Sequence, residues 1–418
     1  MKVRIKLAVI NVFFPPQAVG GATRVVADEV DCIVRHYSDQ FDVVVFTTDL
    51  ERQPPHQVTV YPYKGIRVYS VSSIQRVNMD WHPRDEAMGH LFKEFLALES
   101  PDMIHFHCVQ RLTASVVEAV REAGIPYFVT VHDAWWISDH QFLVDQNGKV
   151  YADGHPDPFA EVTLPDLVTA QESVSRRGLL KGLLADSEGV ISVSDSFSDL
   201  YRTNGIPNVT TIKNGISPDV SWAEKDTSFT SKVVCAHIGG MSDHKGFHLF
   251  RQAITEGGCK NIEVLAVDHS KPEGEIIFSN WGTTPVTIIG RVSNENVVNV
   301  YRRTDVLFAP SIWPESFGLV TREAAACGCW IVASDVGAIG EDVTSDNGFR
   351  ISPNKRNLLN VLSQIDRFTK KFKEHSSSPE PRYSTDQVSE LVELFLARAI
   401  TIKSEMQTER IQNYLPKL

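Results

Sequence analysis

Two glutamates, Glu315 and Glu323, lie eight residues apart around a loop that leads into a helix. The apolar run 305–310 before the loop predicts a buried strand, and residues 319–327 predict a helix that ends at Gly328. If both glutamates were helical, a rise of about 1.5 Å per residue would separate them by roughly 12 Å. A diphosphate bridge between two sugars spans a similar length, so the two carboxylates could bind hydroxyl groups at its two ends.

The loop between the glutamates offers backbone donors as well. The N–H groups of Phe317, Gly318, Leu319 and Val320 would lie at the N-terminus of the predicted helix, where intrahelical partners are missing. Together with the helix dipole they favour a phosphate group, and a glycine permits its close approach. The spacing of the glutamates alone is weak evidence, because a chain of this length contains about one or two such pairs by chance.

The whole string 310–328 strongly resembles the signature of the family 4 retaining glycosyltransferases. Its Pro-Ser start, its Glu-Ser-Phe-Gly and Glu-Ala segments and its closing turn of small residues match the Glu-x7-Glu pattern of that family. The resemblance implies a GT-B fold, in which two Rossmann-like domains face each other across a cleft. It also implies that Glu323 binds the ribose of a nucleoside diphosphate sugar, while Glu315 and the amides of residues 317–320 bind the donor sugar.

The composition is that of an ordinary soluble globular protein, with 42% hydrophobic and 22% charged residues. A chain of 418 residues exceeds what one core usually supports, so two domains are expected. The formal net charge of −11 argues against general nucleic-acid binding. The apolar run near the N-terminus is too short for a membrane span. The six scattered cysteines lack zinc-site spacing, which predicts free thiols in a cytoplasmic protein.

Apolar, β-branched runs alternate with helical stretches along the whole chain, which predicts an α/β protein with two doubly wound parallel sheets. We expect an N-terminal acceptor-side domain over 1–217 and a C-terminal domain that binds the nucleotide sugar over 218–389, joined at the polar segment 217–231. By resemblance to GT-B proteins, a last helix within 390–418 crosses back to the first domain. The predicted strands are 5–13, 42–47, 66–71, 103–106, 127–131, 190–193 and 209–212 in the first half, and 232–238, 262–267, 286–289, 306–309, 330–333 and 348–351 in the second.

Two segments of the first half fall at the carboxyl edge of its predicted sheet, where open α/β sheets bind ligands. Gly20 and Gly21 open a helix; by themselves they fit a turn without a ligand equally well, and the resemblance implies that they approach the donor phosphates and the acceptor. His132 matches the family's histidine beside the donor sugar and acceptor, which makes it the candidate catalytic histidine. We interpret His105 and His107 as structural.

In the second half, Lys245 follows a strand and precedes a glycine. Such a pair is usually a solvated surface feature, but the resemblance implies that this lysine stabilises the leaving diphosphate. Many relatives carry Gly-Arg where this chain has Gly239 and Gly240, so the usual arginine is missing from the diphosphate site around Gly240. We hypothesise that Arg291, after the next strand, or Arg24 of the facing domain supplies that charge.

The resemblance thus implies a retaining, metal-independent hexosyltransferase without a cofactor, with His132, Glu315 and Lys245 as its catalytic residues. UDP-glucose is the first choice of donor and GDP-mannose the second, and the acceptor is a glycan, a lipid-linked sugar or a small molecule, as in polysaccharide biosynthesis. Two alternatives stay open: a nucleotide-sugar epimerase of the same fold and a non-catalytic subunit that binds sugar nucleotides. An NAD-dependent oxidoreductase is disfavoured because the Gly-x-Gly-x-x-Gly fingerprint is absent.

A short basic cluster bears on the membrane. Arg176, Arg177 and Lys181 could form a weak basic patch for peripheral contact at the inner face of the membrane, although a solvated helix face is the better interpretation.

Overall fold

The computed structural model describes residues 4–17, 20–157, 159–222, 225, 230–293, 296–377 and 380–414, with only the backbone described for 403 and 405–414. Two β-sheets, one in each half of the chain, form the two Rossmann-like domains of a GT-B fold. Each sheet has an apolar core on both of its faces. The predicted fold class is therefore confirmed.

The first sheet has eight strands. They are β1 (Ile5–Ile10), β2 (Phe41–Asp49), β3 (Val58–Tyr63), β4 (Ile66–Ser72), β5 (Met103–Phe106), β6 (Tyr127–Val131), β7 (Gly189–Ser192) and β8 (Val209–Thr211). Their order across the sheet is β3-β4-β2-β1-β5-β6-β7-β8. The helices of this half are α1 (Gly20–His36), α2 (Glu86–Glu99), α3 (Ser115–Ala123), α4 (Ala170–Ala185) and α5 (Asp195–Thr203).

The second sheet has seven strands. They are β9 (Val233–His237), β10 (Ile262–Val267), β11 (Ile276–Trp281), β12 (Thr284–Ile289), β13 (Val306–Ala309), β14 (Trp330–Ser334) and β15 (Gly348–Ile351). Their order is β11-β12-β10-β9-β13-β14-β15. The helices that follow in the chain are α6 (Phe247–Gly257), α7 (Val297–Arg302), α8 (Leu319–Ala326), α9 (Lys355–Arg367), α10 (Thr369–Lys373) and α11 (Ser384–Tyr414).

Every strand predicted from an apolar run is present, although the first prediction extends three residues too far, since β1 ends at Ile10. Two strands were not predicted, β3 and β11, and each is an antiparallel edge strand of its sheet. Most of their residues face solvent, so they lack the continuous apolar run of a strand buried on both faces. Each sheet is therefore parallel apart from one edge strand.

The direction of winding reverses beside β1 in the first sheet and beside β9 in the second. β1 pairs with both β2 and β5, and β9 pairs with both β10 and β13. Open parallel sheets bind ligands outside the carboxyl ends of the strands at such a reversal. The loops that follow these strands carry the predicted site residues of both halves.

The last helix, α11, packs onto the first domain. Val388, Leu391 and Phe395 are buried in the same apolar core as Val30 and Ile33 of α1. The predicted crossing of the C-terminal helix is thus present, and the helix begins at Ser384. Residues 415–418 of the predicted crossing segment lie outside the described residues.

The two chain segments that connect the domains touch at Gly215. Its neighbour Ile216 donates a backbone hydrogen bond to Arg382 and accepts one from Ser384, at 2.9 and 2.8 Å. A Cβ atom at Gly215 would overlap the backbone of Tyr383, so this position requires glycine for close approach. The domain boundary near 217–218 remains a prediction, because residues 223, 224 and 226–229 of the linker lie outside the described residues.

Candidate active site

The predicted strand, loop and helix around the two glutamates are present as β13, the loop 310–318 and α8. Glu323 lies inside α8, whereas Glu315 lies in the loop and forms an isolated β-bridge with Gly337. The estimate of their separation from helical rise therefore does not apply, since only one of them is helical. Both side chains are buried, with 5% and 3% of Glu315 and Glu323 exposed.

Lys245 and Glu315 meet at this loop. Lys245 ends a short 3-10 turn after β9, and its Nζ lies 3.0 Å from Oε1 of Glu315. Ser311 also donates a hydrogen bond to that oxygen. The lysine approaches because Gly246 packs against the carbonyl of Pro310, a contact that leaves no room for a Cβ atom. Two predicted catalytic residues from separate strands therefore form one ion pair.

Glu323 contacts the first domain. Nη1 of Arg24, on α1, lies 2.6 Å from Oε1 of Glu323, and the hydroxyl of Tyr301 donates to Oε2 at 2.8 Å. Burial raises the pKa of Glu323, although Arg24 and the Tyr301 hydroxyl act in the opposite direction. Each carboxylate oxygen has two lone pairs, so hydroxyl groups of a ligand can still bind beside these partners.

The amide groups of the loop lie where the sequence placed them, at the N-terminus of α8. Gly318 is the N-cap with φ +88, and Leu319 and Val320 are partly exposed. The side chain of Phe317 is buried beneath the guanidinium of Arg322, whose Cζ lies 3.8 Å from the ring centroid. The side chain of Phe317 is therefore packed inside the protein and is not positioned to contact a ligand.

The structure explains the glycine at position 240. Gly240 has φ +89, and a Cβ atom there would lie 3.1 Å from the ring of His269. A side chain at this position would be strained as well as crowded. The ring Nε2–H of His237 donates to the carbonyl oxygen of Gly240 at 2.9 Å.

The two arginines proposed to replace the missing charge have different positions. Arg291 is exposed just after β12, and its backbone N–H donates to the carbonyl of Lys271 at 3.0 Å. Arg24 lies in the cleft but pairs with Glu323, as described above. The diphosphate role of both stays a prediction.

The glycines at the start of α1 and the loop 310–318 face each other across the cleft. Gly20 and Gly21 open α1, and a Cβ atom at Gly21 would lie 3.3 Å from Cδ1 of Leu319. Ser316 of the loop 310–318 donates to the backbone carbonyl of His132 at 2.6 Å. The structure thus brings Gly21 and His132 of the first domain to the loop 310–318 and the start of α8, whereas Arg291 is exposed just after β12.

His132 is the partly exposed end of a row of side chains, and sequence reasoning did not assign the other members of this row to the site. Nε2 of His132 lies 2.9 Å from Nδ1 of His107, and Nε2 of His107 lies 3.3 Å from Oε2 of Glu29 on α1. His105, inside β5, holds the other oxygen of Glu29 at 2.7 Å and contacts Thr130 at 2.7 Å. The His-x-His pattern at a strand end was the available signal, but its acidic partner lies 76 residues earlier in the chain.

Glu29, His105 and His107 are also the group that, among the described residues, could hold a metal ion. Their side chains are completely buried, and Nδ1 of His105 and Oε1 of Glu29 are only 2.7 Å apart. That distance is a direct hydrogen bond, shorter than the separation of two ligands around a metal at about 2.0–2.2 Å from each. The arrangement fits a hydrogen-bonded network better than a metal site.

The proposed basic patch on α4 is wrong for its two arginines. Arg176 and Arg177 are 2% exposed, and both guanidinium groups lie against Asp139. Arg176 also donates to the backbone carbonyls of Trp135 and Ser138, at 2.9 and 3.1 Å. These arginines hold the segment after β6 in place and form neither a membrane surface nor a solvated face.

The described helices include none with the length and apolar composition required to cross a lipid bilayer.

Comparison with known families agrees with this geometry. The model of Glycosyltransferase Family 4 matches residues 19–220, and that of Glycosyl transferases group 1 matches residues 222–371. The chain belongs to glycosyltransferase family 4. The two matches meet at the segment between the two sheets, so both halves of the glycosyltransferase are accounted for.

Relatives and solved structures cover nearly the whole chain. An uncharacterized glycosyltransferase of Methanocaldococcus jannaschii is 23% identical over 388 residues, which is 87% of this chain and 88% of the relative. Sucrose-phosphate synthase from Thermosynechococcus elongatus has a TM-score of 0.65 at 17% identity, covering 98% of this chain and 100% of that one. Anabaena HepE in complex with UDP and glucose has a TM-score of 0.61 at 16% identity, covering 96% and 100%. These structures share the GT-B fold with the chain.

Proposed function

We propose that the protein is a retaining, metal-independent hexosyltransferase that uses UDP-glucose as its donor. The observation that carries the proposal is the ion pair between Lys245 and Glu315 in the loop before α8, together with Glu323 inside that helix. A cation, a row of helix amides and two carboxylates suit a diphosphate with a sugar at each end. The complex of Anabaena HepE with UDP and glucose supports this choice of donor.

The roles of the residues follow from their chemistry. Glu323 accepts hydrogen bonds from the ribose, and Glu315 with the amides of residues 317–320 holds the donor sugar. Lys245 and the N-terminus of α8 stabilise the charge that the diphosphate gains as the glycosidic bond breaks. These groups already supply positive charge, so the proposed reaction needs no metal ion.

The transfer itself exchanges one bond for another at the anomeric carbon. The bond from that carbon to the diphosphate oxygen breaks, and a bond to the acceptor hydroxyl forms on the same face. The acceptor proton passes to the departing phosphate oxygen, because Glu315 and Glu323 are assigned to binding of the donor. We propose a glycan, a lipid-linked sugar or a small molecule as acceptor, and a cytoplasmic location.

A panel of nucleotide sugars tests the proposal. Isothermal titration calorimetry with UDP-glucose, GDP-mannose, UDP and NADH is expected to show binding of UDP-glucose and UDP, with UDP-glucose hydrolysed slowly in the absence of an acceptor. Glu323→Gln serves as the matched variant and is expected to lose most of this affinity. Binding of GDP-mannose alone would contradict the choice of donor.

The same panel separates the alternatives. An epimerase would convert UDP-glucose into another nucleotide sugar without releasing UDP. A non-catalytic binding subunit would bind the donor and leave it intact with every acceptor tried.

A further inference from the structure

Glu29, His107 and His132 form a continuous row of contacts from the interior of the first domain to the cleft. Oε2 of Glu29 lies 3.3 Å from Nε2 of His107 in an electrostatic contact that is not aligned as a hydrogen bond, and Nδ1 of His107 lies 2.9 Å from Nε2 of His132 in a hydrogen bond. The Glu29 and His107 side chains are completely buried, whereas His132 is partly exposed. The imidazoles of His107 and His132 also stack, with centroids 5.2 Å apart and an angle of 25°.

The row determines which nitrogen of each imidazole carries hydrogen. Burial alone would raise the pKa of Glu29, but His105 and His107 outweigh this effect and hold that pKa below its ordinary value. Glu29 is therefore ionised, and an ionised carboxylate can only accept hydrogen bonds. A nitrogen lone pair of His107 facing that carboxylate would be repelled, so Nε2 of His107 carries the hydrogen. Nδ1 of a neutral His107 is then an acceptor, and Nε2–H of His132 donates to it.

Both imidazoles are neutral near pH 7. Burial lowers the pKa of His107 to about 4, an effect that the neighbouring His105 increases and Glu29 opposes. Burial likewise lowers the pKa of His132 well below its ordinary value. A neutral imidazole has one donor and one acceptor nitrogen, so a fixed donor at Nε2 leaves Nδ1 of His132 as an acceptor.

Other contacts prevent the row from rearranging. Nδ1 of His105 holds the second oxygen of Glu29 at 2.7 Å, and Nε2 of His105 contacts the hydroxyl of Thr130 at 2.7 Å. The carboxylate therefore cannot turn without losing a buried hydrogen bond, which costs about 1–3 kcal/mol. Ser316 holds the backbone of His132 from the opposite domain.

We propose that Glu29 and His107 are positioning residues that hold His132 as its Nε2–H tautomer, so that Nδ1 accepts a hydrogen bond from a sugar hydroxyl in the cleft. The proposal rests on the proposed function for the identity of that hydroxyl. In a purely structural network either tautomer of His132 would serve, and the state of its second nitrogen would not affect the reaction.

The tautomer can be measured directly by two-dimensional ¹H–¹⁵N NMR of protein labelled with ¹⁵N-histidine. Loss of one set of signals in His132→Gln assigns that residue. Wild-type protein at pH 7.5 is expected to show His132 with hydrogen on Nε2. In Glu29→Gln the new amide can donate to Nε2 of His107, so the row can reverse and the Nδ1–H form of His132 is expected to become populated.

Steady-state kinetics of Glu29→Gln and of a second variant, His107→Phe, give the second measurement. Glu29→Gln and His107→Phe, which keeps a ring in the stack, are expected to lower kcat about 10- to 100-fold while the KM for the donor changes less than about threefold. His155→Gln is the control, since His155 is also buried and contacts a hydroxyl, that of Ser138 at 2.9 Å, outside the row. Its kcat is expected to stay within about twofold of the wild type.

The proposal is overturned if wild-type His132 carries hydrogen on Nδ1, or if both variants keep the wild-type kcat. If Glu29→Gln does not fold, the tautomer of His132 in the wild-type spectrum and the kcat of His107→Phe still test the proposal. The spectrum needs no substrate, so failure of the proposed function, seen as absence of donor turnover in the wild type, is distinguished from a wrong tautomer.

Discussion

Replacement of Lys245 by methionine removes the cation of the proposed donor site and keeps most of the side-chain volume. Two unit charges about 4 Å apart interact by about 4 kcal/mol at an effective dielectric constant of about 20. If roughly half a unit charge develops on the leaving diphosphate, Lys245 contributes about 2 kcal/mol to the transition state, or about 30-fold in rate. Loss of a preorganised donor can cost about 100- to 1000-fold, so we expect kcat to fall about 30- to 300-fold.

The substitution also affects folding, because Glu315 remains buried beside Ser311 without its cation. Breaking a buried ion pair costs about 3–5 kcal/mol, and the 26% exposure of the Lys245 side chain puts the loss nearer 1–3 kcal/mol. Adding Glu315→Gln removes the uncompensated charge and is expected to restore part of the stability. It is not expected to restore the rate, which separates a folding defect from a loss of transition-state stabilisation.

The assay is single-turnover release of UDP from UDP-glucose, with donor affinity measured separately by calorimetry. Lys355→Met is the control, since Lys355 forms an exposed ion pair with Glu256 at 2.9 Å, away from the cleft. The reasoning is refuted if folded Lys245→Met keeps kcat within about threefold of the wild type. It is also refuted if the double variant recovers the wild-type rate.

Three further predictions concern the affinity for the donor, the packing of the interdomain segments at Gly215, and the effect of removing metal ions. Donor affinity is expected to fall as the pH drops through the raised pKa of Glu323, because the protonated carboxyl loses acceptor capacity. For Glu323→Gln, calorimetry is expected to show a donor affinity that does not change with pH and is about 10- to 100-fold weaker than that of the wild type. Gly215→Ala is expected to lower the Tm by several degrees, since its Cβ overlaps Tyr383; an unchanged Tm in calorimetric unfolding would contradict this close approach. Turnover in EDTA is expected to stay within about twofold of the untreated rate, and complete loss restored by Mn²⁺ would contradict the metal-independent reaction.

Much of the fold could be predicted because parallel strands buried on both faces are continuous apolar runs. The runs at Val306–Ala309 and Trp330–Ser334 are examples, and both lie inside the second sheet. The edge strand Ile276–Trp281 escaped prediction because its first five residues are exposed, so its apolar residues do not mark a buried face. The requirement for glycine at Gly215 could not be predicted either, because it arises from the contact between two segments that are far apart in the chain.

The candidate site also combines residues that local motifs predict with contacts that only the folded chain creates. Glu315, Glu323 and Lys245 were found because their motifs are local in sequence. The contacts that these residues make were not predicted, because an ion pair such as Arg24 with Glu323 depends on how two domains meet. The row that starts at Glu29 is likewise invisible without the pairing of β1 with β5, which places α1 and the His-x-His segment side by side.

The central claim is the transfer of a hexose from a nucleotide sugar with retention of anomeric configuration. Time-resolved ¹H NMR of UDP-glucose with the wild-type protein tests it without a known acceptor, because water replaces the acceptor during slow hydrolysis. The account predicts that α-glucose appears first, together with UDP, and that β-glucose follows only by mutarotation. Initial release of β-glucose, or formation of a different nucleotide sugar without UDP, would contradict it.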